Sequence, residues 1–469
     1  MIDNGYVFAK DNKRIFINTS LGCSGKCSYC YLPQLGYSNN SINFNTTTAE
    51  WIIDCLEKSD LKINEETLIT IGCYSECWDS HNVNETIKLI KHFLKKGNQI
   101  QLSTKKQIKE SELSDILPLI QYYGQLIVFV SATTISKHHI LEKNTTPIDQ
   151  RFENFNLLNK LNIPSVLYIK PVLKGITVKD VDLFKEYIVK HHIANVVVGS
   201  VFTNEQSNET VHFSNKNELF YNKINDEDIL IRELSKKANV YRRSTEAVSS
   251  FKVYKYIKNL KVVIKEMFKG DKSGHDISHL ERTTNLALYL QQKEGGDKIV
   301  IGISAFLHDV HRIMQNQLGR FIAPKDSLTK IKEILSTTDL TSTQIEQICY
   351  CIEYHEEYNW NGNNVNDLNT LILQDADNLD AIGAIGIIRN FKYGIAHNII
   401  DFDPNVPLYQ NEYNESKEDT SIIHHMNNKL LRLGQYMNTK TAKKLAKSKT
   451  KLMQDFMHMF IQEFTGKYE

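Results

Sequence analysis

Six short, β-branched apolar runs alternate with longer helical patterns between residues 12 and about 200, and this alternation constrains the fold more than any other property of the chain. The runs are RIFIN at 14–18, TLITIG at 67–72, QIQLST at 99–104, LIVFVSA at 126–132, SVLYIK at 165–170 and NVVVGS at 195–200. Their near-continuous apolar character suits parallel strands covered on both faces. Helical patterns at 49–59, 84–96, 148–160 and 178–191 fall between them. Strands joined by helical crossovers predict an α/β domain with a parallel sheet, organised as a partial (β/α)6 barrel. In such folds the active site forms at the carboxyl ends of the strands.

Directly after the first run comes GCSGKCSYCYLP, in which Cys23, Cys27 and Cys30 are spaced C-x3-C-x2-C. Three thiolates this close can cap three corners of an iron–sulfur cluster and leave its fourth iron open to a small molecule. A zinc knuckle lacking its fourth ligand, or three buried thiols, are the alternatives. The strand ahead of the loop and the alternating strands after it weigh against both. With Tyr29 and the glycines Gly22 and Gly25, the loop resembles the radical S-adenosylmethionine superfamily. That resemblance implies a 4Fe-4S cluster whose open iron chelates S-adenosylmethionine and cleaves it to a 5′-deoxyadenosyl radical. It also implies an electron donor such as a flavodoxin or ferredoxin.

Over most of residues 12–210 the chain is most similar to the spore photoproduct lyase branch of that superfamily. IGCYSECWDS, QLSTKK, and VSATT followed by LEKNTTPIDQRF carry the likeness. The branch holds S-adenosylmethionine with a serine, a lysine and a serine after strands two, three and four, which here fall on Ser75, Lys105 and Ser131. A lysine suits the carboxylate and hydroxyls suit the amino group. Glu142, Pro147 and Arg151 also match, although Arg151 has a plainer reading as an ion-paired helix residue. One position departs: the hydrogen-donating cysteine of the branch is replaced by Tyr74, with Cys73 before it and Cys77 two residues after Ser75. Any of the three is a candidate to quench a substrate radical, or the two cysteines are buried thiols. Thymine-dimer repair therefore does not carry over.

At 469 residues, two or three domains are expected. Eight cysteines are too few for a disulfide scaffold, no apolar run reaches a membrane span, and the first residues, MIDNGYVFAKDNKR, lack a signal peptide's apolar core. Free thiols and an oxygen-sensitive cluster fit a cytoplasmic location with no membrane partner. Net charge is +1, which excludes bulk binding of nucleic acid. Local basic stretches at 252–272 and 429–451 are read as solvated helix faces or as attractors of phosphate-bearing substrates.

The Asn-rich segment 203–228 ends the first domain, expected at 1–228, and the boundary region extends over 203–250. From 250 to 469 the periodicity is helical throughout, predicting an all-α domain. Its helices carry His275, Asp276 and His279 in GHDISHLERT, His308 and Asp309 in AFLHDVHR, His355 in IEYHEEY, and Asp375 and Asp377 in LQDADNLDAIGAIG. Imidazole nitrogens combined with hard carboxylate oxygens suit a divalent ion such as Mn²⁺, Fe²⁺, Ni²⁺ or Zn²⁺. Open positions on such an ion can activate water and a phosphate oxygen. The ordered set resembles the HD-domain metal-dependent phosphohydrolases across about 265–465, in particular a bacterial subgroup acting on nucleoside triphosphates or related phosphoesters.

That resemblance implies His279, His308, Asp309 and Asp377 as ligands. Asp375 competes with Asp377 for the last place, since Asp-Ala-Asp permits either alignment and two-residue spacing on a helix points the side chains apart. His355 is a phosphate contact, a second-metal ligand or an exposed helix histidine, and Asp276 and Arg282 are supporting partners.

The expectation from sequence is a bifunctional enzyme, radical chemistry in the first domain and phosphohydrolysis in the second, acting on a small molecule or nucleotide. Two alternatives differ in class. In one the helical domain only senses a nucleotide; in the other the chain repairs or modifies DNA or RNA through its basic stretches.

Overall fold

The computed structural model describes residues 2–9, 11–40, 45–203, 205, 212–213, 218–269, 276–357, 365–408 and 420–468. It divides into two units, Met1–Lys255 and Tyr256–Glu469.

The first unit is built on strands β1 (Arg14–Ile17), β2 (Leu68–Ile71), β3 (Ile100–Thr104), β4 (Leu126–Ser131), β5 (Ser165–Val172) and β6 (Asn195–Thr203). They pair in sequence order and all in parallel, in registers such as Ile15↔Ile69, Ile69↔Ile100, Leu102↔Val128, Val130↔Leu167 and Val197↔Tyr168. All six residues of β4 are buried, as a strand with layers on both faces requires. Val128 and Val130 pack with the core formed by helices α1 (Ala49–Glu57), α2 (Val83–Lys95), α3 (Ile148–Lys160) and α4 (Val181–Lys190). Ile127 and Phe129 point the other way, against Ala247, Val248 and Phe251.

The sheet is open. Beyond β1 lies the antiparallel strand Val7–Ala9, and β6 pairs with the antiparallel strand Glu218–Asn222 and the parallel strand Asn239–Tyr241. The last pairing places Asn239–Tyr241, from a boundary segment that the sequence leaves free to pack against the first domain, in the first unit's sheet.

The second unit is helical throughout its described residues: it begins within the helix Lys252–Met267 and continues through α5 (Ile277–Glu294), α6 (Lys298–Leu307), α7 (Val310–Leu318), α8 (Ser342–Glu353), α9 (Leu368–Asp380), α10 (Gly383–Ala396) and α11 (Lys440–Thr465), with the helix Leu328–Leu335 and shorter turns between. Side-chain caps start five of them: Asp276, Asp297, Thr341, Asp367 and Thr439 each accept from a backbone N–H in the first turn. Their apolar stripes converge on one core around Ile303, Phe306, Ile348, Leu373 and Met426. Among the described residues no helix is long and apolar enough to cross a membrane.

Candidate functional site

In the first unit a cavity of about 390 Å³ is lined by the cysteine loop, by residues of strands β1 to β6 and by those just past the carboxyl ends of β2 and β3. Cys23, Cys27, Cys30 and Tyr29 share it with Cys73, Ser75, Glu76, Lys105 and Ser131. Gly72 ends β2 with φ +86°, and an added Cβ would stand 2.9 Å from the Cys77 side chain. Only glycine lets the chain turn there toward Ser75.

Hydrogen bonds to segments far along the chain fix the cysteine loop. Cys23 N donates to Ser38 O at 2.8 Å, Ser28 N to Leu141 O at 2.9 Å, and Asn144 N to Gly25 O at 3.1 Å. The Tyr29 hydroxyl bonds Glu142. Glu142 in turn pairs with Arg151 at 2.5 Å, both side chains being fully enclosed. Arg151 also donates to the carbonyls of Ser131 (2.9 Å) and Thr146 (2.8 Å), so this ion pair ties α3, the loop after β4 and the cysteine loop together. Pro147 stands at the N-cap of α3.

Burial and the nearby Glu76 push the Cys23 thiol up to about 12, and burial raises Cys27 and Cys30 as well. Three thiols that resist ionisation in this way are matched by a cationic metal centre, which favours the thiolate form. Groups whose ligand atoms all lie within 4.8 Å of one another occur, among the described residues, only in the second unit.

Lys105 Nζ donates to Ser131 Oγ at 2.8 Å. Glu76 is held by Thr104 Oγ1 (2.5 Å), Lys105 N (2.9 Å) and Trp78 N (3.1 Å). Ser75 Oγ is buried without a hydrogen-bond partner, an orphan in the cavity wall that suits a ligand's amino group. Of the three candidate radical quenchers only Cys73 lines the cavity. Tyr74 is fully buried in a cluster with Leu32, Leu35 and Leu219, and Cys77 lies buried with its sulfur 3.4 Å from Ser103 O.

In the second unit His279 Nε2 lies 3.2 Å from His308 Nε2, 3.2 Å from Asp309 Oδ2 and 3.5 Å from Asp377 Oδ1. His308 Nε2 is 3.7 Å from Asp377 Oδ1. Ligands about 2.1 Å from one ion stand about 3.0 Å apart in octahedral and about 3.4 Å apart in tetrahedral geometry. The four side chains thus fit one divalent ion. His279 Nδ1 is engaged by Asp380 at 2.8 Å and His308 Nδ1 by Ala305 O at 2.8 Å, which leaves both Nε2 lone pairs for a metal. Burial works against a charged His308, yet Asp309 and Asp377 hold it up to about 9. Carboxylate charge here calls for a cation.

His355 is buried, not exposed. Its Nδ1 bonds Ile352 O at 2.6 Å and its Nε2 has no partner. It forms close groups with His308 and Asp377 and with Asp309 and His311. Burial and the neighbouring His308 lower its pKa to about 4.

Asp375 points elsewhere. It accepts from Asn438 N (2.6 Å), Thr439 N (2.8 Å) and Thr439 Oγ1 (2.7 Å) at the start of α11. Successive helix positions turn by about 100°, so two residues apart means nearly opposite faces. That corrects its candidacy as a ligand in favour of Asp377. Asp276 caps α5, and Arg282 bonds Asp380 (2.8 and 3.0 Å). His275 lies outside the described residues.

Sequence reasoning missed three participants. Asp380 sits three residues after Asp377 and His311 three after His308, the spacing of one helix face. Glu356, beside His355, bonds Arg312 and lies 3.5 Å from His311. The basic stretches are also partly spoken for: Lys255 Nζ bonds Glu66, and Lys449 Nζ donates to Leu379 O (3.0 Å).

The HD domain family matches residues 276–382. This segment is an HD domain. YpgQ of Bacillus subtilis is 26% identical over 218 residues, covering 46% of this chain and 97% of the relative. An HD-superfamily hydrolase of known structure from Bacillus thuringiensis is 28% identical with a TM-score of 0.36, covering 45% of this chain and 98% of its own. A spore photoproduct lyase mutant is 15% identical with a TM-score of 0.36, covering 48% of this chain and 76% of its own.

Proposed function

We propose that the chain is a bifunctional enzyme. Its first unit is a partial (β/α)6 barrel that cleaves S-adenosylmethionine reductively at a 4Fe-4S cluster on Cys23, Cys27 and Cys30, and so begins radical chemistry on a nucleotide-related substrate. Its HD domain is a metal-dependent phosphohydrolase. The observation that carries the reading is the single cavity shared by the three cysteines, Ser75, Lys105 and Ser131, residues from three separate loops and the end of β4.

Cys23, Cys27 and Cys30 would hold the cluster, which would supply the electron for reductive cleavage of the sulfonium carbon–sulfur bond. Lys105 pairs its ammonium with the carboxylate of S-adenosylmethionine, and the hydroxyls of Ser75 and Ser131 accept from its amino group. Tyr29, Glu142 and Arg151 hold the loop in register. Cys73 is the thiol in the cavity wall and takes the hydrogen-donor role, whereas Tyr74 and Cys77 are core residues with no part in it.

In the HD domain His279, His308, Asp309 and Asp377 would hold a divalent cation, which supplies Lewis-acid polarisation of a phosphoryl oxygen and acidifies water. Asp380 and Ala305 O orient the two imidazoles. His355 offers its unpaired Nε2 to a phosphate.

Anaerobic reconstitution tests the first half. Wild type should bind iron and sulfide and release 5′-deoxyadenosine with dithionite, and Cys27→Ala should do neither; a variant that does both overturns the assignment. Phosphate release with Mn²⁺ across a nucleotide panel tests the second. Nucleotide affinity without turnover would mean that the HD domain is a sensor.

A further inference from the structure

Two cations in the same cavity are left over by this account. Arg14 donates from Nε to Thr70 Oγ1 (2.9 Å) and from Nη2 to Gln101 Oε1 (3.0 Å), both neutral, and its guanidinium lies 4.5 Å from the Phe16 ring centroid. Lys170 Nζ lies 4.7 Å from the centroid of Phe202. Among the described residues neither makes an ion pair with a carboxylate, and both line the cavity. The carboxylate whose field reaches Lys170 is Glu227, and it is already engaged by Arg242 (3.0 Å), Ser200 (2.6 Å) and Tyr221. Arg243 adds further positive potential.

Half-buried cations without counter-charge are costly, and a ligand anion lowers that cost. The carboxylate of S-adenosylmethionine is accounted for by Lys105, so the remaining anion belongs to the other reactant. Two cations match a dianion better than a carboxylate, and a guanidinium fork matches phosphate oxygens. Tyr168 and Phe202 in the wall offer flat apolar surface of the kind on which a base stacks.

We infer that the part of the cavity lined by Arg14 and Lys170 is a phosphate-recognition subsite, where the two side chains clamp the phosphate monoester of a nucleotide-sized radical substrate. This rests on the reading of the cavity as an S-adenosylmethionine site. It assigns the substrate class that the cysteine motif leaves open.

The test is equilibrium dialysis against the anaerobically reconstituted full chain carrying His308→Ala and Asp309→Ala, which takes the HD metal site out of the measurement. The probes are a pool of nucleoside 5′-monophosphates, the matching nucleosides, and inorganic phosphate. Monophosphates should bind, and nucleosides should bind about tenfold more weakly or worse. Lys170→Met and Arg14→Gln should each weaken monophosphate binding by about tenfold, and Lys170→Arg should restore most of it. Inorganic phosphate competing with the monophosphates in that double variant, but not once it also carries Lys170→Met, would locate the phosphate at the clamp. Equal binding of nucleosides and monophosphates, no binding of either, or a Lys170→Arg chain as impaired as Lys170→Met overturns the proposal. Failure of the S-adenosylmethionine reading is seen separately, as absent 5′-deoxyadenosine from a chain whose dialysis result is unchanged.

Discussion

His279 Nδ1 and Asp380 Oδ2 are 2.8 Å apart, and Arg282 and Arg389 converge on the same carboxylate, Arg389 at 3.0 Å. Despite burial, the hydrogen bond to His279 and the Arg282 and Arg389 guanidiniums hold Asp380 well below the ordinary carboxylate range. As an anion it can only accept, so His279 carries its proton on Nδ1 and turns an unprotonated Nε2 toward His308, Asp309 and Asp377.

Replacing Asp380 with Asn should therefore lower divalent-metal affinity by about 10- to 100-fold without removing a ligand. Metal titration of the full chain measures it, with circular dichroism to verify that the helices persist. Unchanged affinity would show that Asp380 only braces α9 against α5.

Asp375 and Asp377 should separate cleanly by phenotype. Asp375→Ala strips the buried N–H groups of Asn438 and Thr439 of their acceptor and should cost about 2–4 kcal/mol of stability, with hydrolysis per folded molecule kept. Asp377→Ala should abolish hydrolysis at near-normal stability. Burial also pushes Asp375 up to about 6. Its folded pKa then exceeds the value of about 3.9 in the unfolded chain, so its contribution is full below pH ~4 and lost as pH climbs through ~6, by roughly 3 kcal/mol at most. Denaturant melts at pH 4.5 and 7.5 should show that slope in wild type and less of it in Asp375→Ala.

Much of this was legible in the sequence because the informative residues are local. Strands β1 to β6 fall on the six apolar β-branched runs, and the helical unit follows from 3.6-residue periodicity. The cavity-lining Cys23, Ser75, Lys105 and Ser131 sit where strands end, a position that sequence marks well. What escaped was non-local. Nothing in NVYRRSTEAVSS announces that Asn239–Tyr241 pairs with β6, because a three-residue strand has no period to detect. Tyr74 and Cys77 lie in the same short segment as Cys73, and only packing decides which side chain meets the cavity. Arg14 looked like the first residue of a strand, and its value lies in what it fails to pair with.

The pair Glu142–Arg151 should be essential to the cysteine loop. Glu142→Gln leaves a fully enclosed guanidinium without its counter-charge and should destabilise the first unit by about 3–5 kcal/mol, with a parallel fall in iron bound after reconstitution. Pairing it with Arg151→Met removes both charges and should recover most of the stability. Iron should not recover with it, since Tyr29 would still lack its carboxylate partner. If the double variant binds iron normally, the network is only scaffolding for α3.

The two centres should work independently. Each is assembled within one unit: the cysteine cavity from residues before 255, and the metal cluster from α5 and α9 and the residues following α6. None of the metal ligands comes from the cysteine loop, and no cavity residue comes from the HD domain. His308→Ala with Asp309→Ala should therefore remove phosphohydrolysis and leave 5′-deoxyadenosine formation at its wild-type rate. Cys27→Ala should do the reverse, losing the cluster while phosphate release with Mn²⁺ stays unchanged. Both variants can be assayed as full chains, with iron content and helicity reporting whether each unit is still folded. If the His308 and Asp309 double variant keeps its iron and its fold but stops making 5′-deoxyadenosine, the two activities are coupled and independence is wrong.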